Sequence, residues 1–572
     1  MAPWWKDTST FGFHDWDVQT AHRELVRMSL LEHGEMPWWN PYLCGGYPGW
    51  GYVEAGTIVV SPFLPFYLLL PMSVALRIEV TGYALIGALG AYAAAGRFTQ
   101  SYAARALVVV LWAVNGRWGL QTASGHTWHL AYAWMPWCLY FFERARVLGP
   151  RVRDIAGLAG CFAMLVYSGG IYPLPHTVLA LGLYAMALTL IERSARPLGT
   201  LGVGGLFGVA LAAPKLLPML DTFKKAPRII DSNESMDLGA LVTMLTSRDQ
   251  SFSSRPARVP AWGWHEWGIY ISPVGLAILA IAALVVQGRR ELALKLTGAA
   301  FLVLGFGAFH PSAPWKLLHT HAPVFSSQHV PSRFLYGAVL LFALVAAAGI
   351  GRAIVRRGLT RPWLDFAAAL VVMIIGIDVA KVAQLPMAGA MWMVPPEIVA
   401  DRPFHFEQDT RFHYKKRDWV GPMYLAMLGN TGILNCYGTP PFDRKGALAE
   451  KDPRYRGEVH VQGQGTSKLA AWSPSTAMVD VEGAAEGVLL VYNMNYDEGW
   501  HATIEGQEGT RAVRAMNVGN RAAARLSAGS SRVTFWYRPP NLGIGLGIGA
   551  LAALTLFGLW RRERRIDRGI VA

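Results

Sequence analysis

Seven side chains stand where chemistry is available. Asp15 lies in "FHDWDVQ", ahead of any long apolar run, and Glu54 closes the knot "GGYPGWGYVE". A carboxylate in such a loop can accept a proton or hold a cation. Arg333 opens an apolar run just after Pro331, and Arg228 follows another run whose interior holds Lys215. A guanidinium grips phosphate through two parallel hydrogen bonds. A lysine inside an apolar helix needs a polar partner or a wet cavity, so by default it points to function. His126 and His129 are three apart and share one helix face. That spacing suits a metal, but no third ligand follows at motif spacing. Each residue also has a plain structural alternative: Asp15 and Glu54 as loop acids, Lys215 as a snorkelling chain or a partner of Asp221, Arg333 as an interfacial anchor, and His126 as a satisfied interfacial ring.

The elements that must position these groups are membrane-like. The 572 residues are 53% hydrophobic and 16% charged, against about 25% charged in soluble domains. Eleven apolar runs read as spans, near 74–96, 103–118, 126–143, 154–172, 174–192, 199–219, 268–287, 292–309, 333–352, 362–383 and 541–560. Alternate connections are basic, from Arg97 and Arg105 to the tail "RRERRIDR". This pattern accounts for the formal charge of +14 without a nucleic-acid patch. It puts the basic connections and the C-terminal tail in the cytoplasm, and 1–73, 220–267 and 384–540 outside. Met1 to Lys6 is neither a signal peptide nor an anchor, so a first transmembrane helix is expected upstream of Met1.

The domains expected are therefore a first extracytoplasmic loop (1–73), a transmembrane domain of about ten spans (74–383), an extracytoplasmic domain (384–540) and a last span with its basic tail (541–572). In the first, Asp17 is placed to cap a helix whose stripe is Val18, Ala21, Leu25 and Met28. From about Gly457, short alternating runs such as "VLLVYNMN" and "SRVTFWY" predict antiparallel strands in a sandwich. Asp378 and Lys381 read as a local ion pair. The clusters Trp4–Trp5, Trp38–Trp39 and Trp262–Trp264–Trp267 read mostly as interfacial belt residues. The four cysteines give no disulfide framework. There is no P-loop, dinucleotide fingerprint, His-Glu-x-x-His or nucleophile elbow, which excludes nucleotide-driven chemistry built on those motifs.

The stretches "GEMPWWNPYLCGGYP", "GHTWHLAYAWMPW", "PKLLPMLDTFKKAPR", "VPSRFLYGAVLLFALVAAAGIG" and "NYDEGWHATIEGQ" with "VTFWYRPPNLGIG" together resemble the YfhO-type family of bacterial membrane proteins. That family is itself similar to the GT-C polyprenyl-phosphate-sugar glycosyltransferases. The fold expected from the spans and strand signals is polytopic α-helical with a mainly β extracytoplasmic domain before the last span, and the resemblance implies a multi-span, GT-C-like enzyme working at the outer leaflet. It implies transfer of a sugar from an undecaprenyl-phosphate carrier to a cell-envelope glycan, at the outer face of the cytoplasmic membrane. Asp15 falls on the family's acidic position, implying base or metal ligand, and Glu54 on a second acidic position. Arg333, with Arg228 or Lys215, would hold the phosphate, and His126 falls on the family's Gly-His. Mg2+ or Mn2+ is compatible, but no ligand set indicates either. The rival readings are a non-catalytic envelope scaffold and a flippase for lipid-linked sugars; a flippase requires mid-membrane charge pairs and internal repeats, which the sequence does not clearly show.

Overall fold

The computed structural model describes residues 2–251, 254–257, 259, 262–356, 362–394, 403–408, 421–435, 442 and 446–571. Among the described residues, six helices are long and apolar enough to cross a membrane: Met72–Ala95, Pro173–Glu192, Arg196–Lys225, Pro331–Ile354, Phe366–Ala388 and Leu542–Ile566. The chain is thus a multi-pass membrane protein by length and composition. The count of eleven is not reached, because the other expected spans fall on the shorter helices Tyr102–Ala113, Met135–Leu148, Val152–Tyr167, Pro273–Val285 and Arg289–Gly305. At 1.5 Å per residue the shortest of these covers about 18 Å of a hydrocarbon layer near 30 Å. Local chemistry breaks them. Asn115 accepts the Arg117 N–H at 3.1 Å and starts a new helix, Gly116–Ala123, inside the expected 103–118 span. The expected 126–143 span opens as a 3-10 turn, Thr127–Trp134. Hydropathy registers the apolar run and misses these interruptions.

Side chains from the connections fall into two groups. At one end, buried Glu143 pairs with Arg146 at 3.1 Å and Arg290 at 2.6 Å. There Arg144 meets Asp154 at 2.8 Å, Arg352 meets Glu291 at 3.2 Å, and the Val152 N–H donates to Glu563 of the tail at 3.3 Å. These are the connections read as basic. The other end gathers the 13–17 segment, His126, Glu266 and Arg333.

That second end carries the β-rich region. A four-stranded sheet runs Met516–Val518, Arg521–Arg525, Leu489–Asn495, Val459–Gln462, and a five-stranded sheet runs Gly509–Arg514, Trp500–Gly506, Gly529–Tyr537, Thr476–Ala484, Thr466–Ser473, antiparallel throughout. Residues of both sheets, among them Leu490, Tyr492, Val479, Val533 and Phe535, share one core, which makes a sandwich.

The helix Trp16–Leu31 does show the apolar stripe at Val18, Ala21, Leu25 and Met28, and that stripe packs into the sandwich-side core. Its opposite face is also covered: Trp16 and Val26 join a cluster with Ile58, Leu76 and Val80. Polar residues on it are paired rather than solvated; Arg23, for example, meets Glu79 at 2.7 Å. Asp17 does cap a helix, but not its own. Its carboxylate accepts the N–H groups of Met423 at 3.1 Å and Tyr424 at 2.9 Å, at the start of Pro422–Leu428. The first residue before Trp16–Leu31 is instead Asp15.

The segment "GEMPWWNPYLCGGYP" fastens the sandwich to the helices. Trp39 packs on Trp500 and Tyr537, ring centres 5.1 and 4.6 Å away. Asn495 donates to the Cys44 and Gly46 carbonyls at 2.8 and 3.0 Å, a fit that uses left-handed backbone at Cys44, Gly45 and Gly46. In each tryptophan cluster at least one ring is interior rather than in a belt: Trp4, Trp39, Trp264 and Trp267 are buried, while Trp5 and Trp262 are exposed. Cys44 is disulfide-bonded, contrary to the sequence expectation, while Cys138 and Cys161 are free; Cys436 lies outside the described residues.

Candidate functional site

Asp15 is brought to His126 by a close backbone crossing. Gly125 has φ +80°, and a Cβ there would collide with the backbone nitrogen of Trp16; only glycine lets these segments touch. The Trp16 indole N–H locks the crossing by donating to the Thr122 carbonyl at 2.9 Å. Asp15 then meets His126 Nε2 at 3.2 Å through one oxygen and His14 Nδ1 at 3.1 Å through the other. Burial alone would raise the Asp15 carboxyl; the two imidazoles overcome it and hold the group well below the usual carboxylate range.

His126 Nδ1 lies 2.9 Å from Gln121 Oε1, and the same amide donates through Nε2 to the His265 carbonyl. That second bond sets the amide orientation, so His126 Nδ1 donates. Nε2 faces Asp15 and, at 3.9 Å, Glu266. Both ring nitrogens thus lie against protein oxygens.

Glu266, on the short turn Trp264–Trp267, is buried and takes Arg333 at 2.6 Å. Its own carbonyl accepts from Ser332 Oγ at 2.7 Å and Arg117 Nη1 at 3.0 Å. Burial pushes the Glu266 carboxyl up, and the Arg333 guanidinium more than reverses this, leaving it well below its ordinary value. Burial also lowers the His265 imidazole, to about 4. Arg333 lies between the rings of Trp128 and Tyr172, 4.5 and 4.0 Å from their centres, and its Nη1 has no hydrogen-bond partner.

Asp15, His126, Glu266 and Arg333 therefore form one contiguous chain of polar contacts. Two residues beyond Arg333, Leu335 lines a wholly apolar groove of about 170 Å³ with Leu245, Ile271, Val339 and Phe342.

The other candidates lie elsewhere. Arg228 is buried with its Nε unpartnered, and its charge acts on His329. Lys215 is neither paired with Asp221 nor snorkelling. It donates to the carbonyls of Trp50, Tyr52 and Ala55 at 3.1, 3.3 and 2.7 Å and lies over the Trp50 ring, while Asp221 pairs with Lys225 at 2.8 Å. Glu54 is buried, with the Tyr52 hydroxyl 3.4 Å away. Asp378 pairs with Arg248 rather than Lys381 and accepts the Tyr270 hydroxyl at 2.7 Å. Sequence reasoning passed over Glu266, Arg117 and Gln121. The available signals were a single acid among the tryptophans of "WGWHEWG" and an arginine inside an apolar run.

Among the described residues, one group offers three metal-ligating atoms within 4.8 Å of one another: His405, Glu407 and Glu450. The Asp15 cluster is a poorer fit for Mg2+ or Mn2+, which favour open oxygen sets, because its carboxylates already face imidazoles and a guanidinium.

No family model matches the chain, and no curated protein matches it in sequence. Solved structures similar to it include ArnT from Cupriavidus metallidurans bound to undecaprenyl phosphate, at TM-score 0.43 and 12% identity over 76% of this chain and 83% of that one. Arabinofuranosyltransferase AftD from Mycobacteria follows at 0.46 and 12%, over 93% of this chain and 58% of that one. The oligosaccharyltransferase AglB from Archaeoglobus fulgidus, in complex with an inhibitory peptide and a dolichol-phosphate, stands at 0.41 and 11%, over 77% and 62%. The chain thus spans less than two thirds of the length of the last two.

Proposed function

We propose that the protein is an inverting membrane glycosyltransferase that moves a sugar from a polyprenyl-phosphate carrier, undecaprenyl phosphate in a bacterial membrane, to a cell-envelope glycan. The observation that carries this is the contiguous chain Asp15–His126–Glu266–Arg333. A carboxylate held ionised at one end and an arginine at the other are what a lipid-borne phosphate and an approaching hydroxyl require. The acceptor oxygen bonds to the anomeric carbon as the carbon–oxygen bond to phosphate breaks. The hydroxyl proton passes to Asp15, and the departing electron pair stays on the phosphate oxygen, facing Arg333 Nη1. A carboxylate this acidic is a weak base, so Asp15 acts by holding the hydroxyl and taking its proton late. Lys215 fixes the 50–55 loop, and Glu54 orients the acceptor from that loop. The basic end faces the cytoplasm; a disulfide at Cys44 beside the sandwich accords with an oxidising outer compartment.

A second reading draws on the same residues. Every charge in the chain already has a protein partner, as in a purely structural network anchoring a non-catalytic scaffold. Turnover decides between them: purified protein is assayed with polyprenyl-phosphate sugars and envelope glycans, beside Asp15→Asn. Transfer that falls at least about 100-fold in the variant supports the enzyme; absence of transfer with every donor supports the scaffold.

A further inference from the structure

The helix Pro273–Val285 has 13 residues, about 20 Å at 1.5 Å per residue, and it packs beside the 23-residue helix Phe334–Arg356, about 35 Å long. The shorter helix stops where the chain becomes extended at Val286 and turns at Gly288, φ +141°. Carbonyls at its end are satisfied from the next helix: Lys295 Nζ donates to Ala283 and Val286 at 3.1 and 3.0 Å. The two helices meet closely at Val286 and Gly349; a Cβ on Gly349 would lie 2.4 Å from the valine side chain. Beside that contact a groove of about 590 Å³ remains, walled by Ile278, Ile281 and Val285 on one side and Ala346, Ile350 and Ala353 on the other.

Ile281, Val285 and Ala353 are exposed, so the groove opens sideways on the flank of the spanning helix Pro331–Ile354. A lipid chain or another membrane helix is what reaches such a flank. The polar end of the groove decides between them. Arg352 and Gln287 close it, at the end of the molecule where Glu143 meets Arg146 and Arg290. Glu291 takes Arg352 Nη1 at 3.2 Å, while Nη2 is buried and has no hydrogen-bond partner. An open guanidinium N–H of this kind is met by a phosphate oxygen; an apolar helix face offers it nothing. Basic pockets between spanning helices on the cytoplasmic side recognise anionic head groups in this way.

We infer that this groove holds an acyl chain of an anionic phospholipid, with its phosphate accepting from Arg352 Nη2. The lipid fills the gap left by the short helix and ties that helix to its longer neighbour. Arg352 lies about 28 Å along the helix Pro331–Ile354 from Arg333, at 1.5 Å per residue. The site is therefore separate from the chain that begins at Asp15, and it stands without the glycosyltransferase reading.

The test is native mass spectrometry of the full chain, delipidated in detergent and titrated with dioleoyl-phosphatidylglycerol, dioleoyl-phosphatidylcholine or glycerol phosphate. The expected result is phosphatidylglycerol bound roughly fivefold tighter than phosphatidylcholine, the worth of one basic side chain at an anionic head group. Arg352→Gln should remove that preference. Ala353→Trp, at an exposed position, should weaken both lipids several-fold by narrowing the groove. Arg151→Gln, exposed and away from the groove, should bind as the parent does. Equal affinity for the two lipids, displacement of the lipid by glycerol phosphate, or an equal loss in Arg151→Gln and Arg352→Gln overturns the proposal. So does a dimer that forms in place of lipid binding, which would assign the groove to a second copy. Should Arg352→Gln fail to fold because Glu291 is stranded, Ala353→Trp still decides, since unchanged affinity there overturns the proposal by itself.

Discussion

Glu266 and Arg333 meet at 2.6 Å with side chains only 4% and 3% exposed, and they tie the 220–267 connection to the start of the helix Phe334–Arg356. Breaking a buried pair from one side leaves an uncompensated charge, at a cost of about 3–5 kcal/mol. Glu266→Ala should therefore lower the thermal midpoint sharply, and the double variant Glu266→Leu/Arg333→Met should recover much of that loss. A double variant as unstable as the single one contradicts this.

Asp17 makes stability depend on pH. Burial pushes its carboxyl up to about 7, against the two N–H groups it accepts, from about 3.9 in an unfolded chain. The folded state holds this proton more tightly, so the contribution is full below the unfolded value and is lost as pH rises through 7. Burial raises Glu458 to about 7 as well, so the comparison must be with Asp17→Asn. Going from pH 8 to 6 should raise the melting midpoint of the parent more than that of the variant. Equal changes contradict the assignment.

Lys215 satisfies three carbonyls of the 50–55 loop. Lys215→Met should cost about 2–3 kcal/mol through carbonyls left without a donor and speed proteolysis within 49–56. Unaltered cleavage there would leave the loop held by other contacts.

Trp39 is the hinge of the docked sandwich, buried against Trp500 and Tyr537. Trp39→Ala should remove about 3–5 kcal/mol and release the sandwich as a protease-resistant fragment. An unchanged digestion pattern would count against that docking.

Much of this architecture was legible in the sequence, and for physical reasons. Apolar length marked the long helices, and period-two alternation marked the strands, since Thr476–Ala484 buries Ala477, Val479 and Val481 in turn. Charge along the chain sorted the connections into the two groups that meet. What was not legible depends on backbone crossings. Nothing in the spacing of Gly125 showed that it would lie on Trp16, and so nothing placed His126 on Asp15. Glu266 was hidden because a single acid among tryptophans looks like interface until Arg333 folds onto it. Asp17 carries the side chain of a cap, yet caps a helix that only tertiary structure brings to it.

The most direct measurement compares the initial rate of sugar transfer from a polyprenyl-phosphate donor in the parent, Asp15→Asn and His126→Ala, each checked for an unchanged melting temperature. The account predicts a loss of at least about 100-fold for Asp15→Asn and a smaller loss for His126→Ala with a shifted pH profile. Full turnover by a folded Asp15→Asn protein would contradict it.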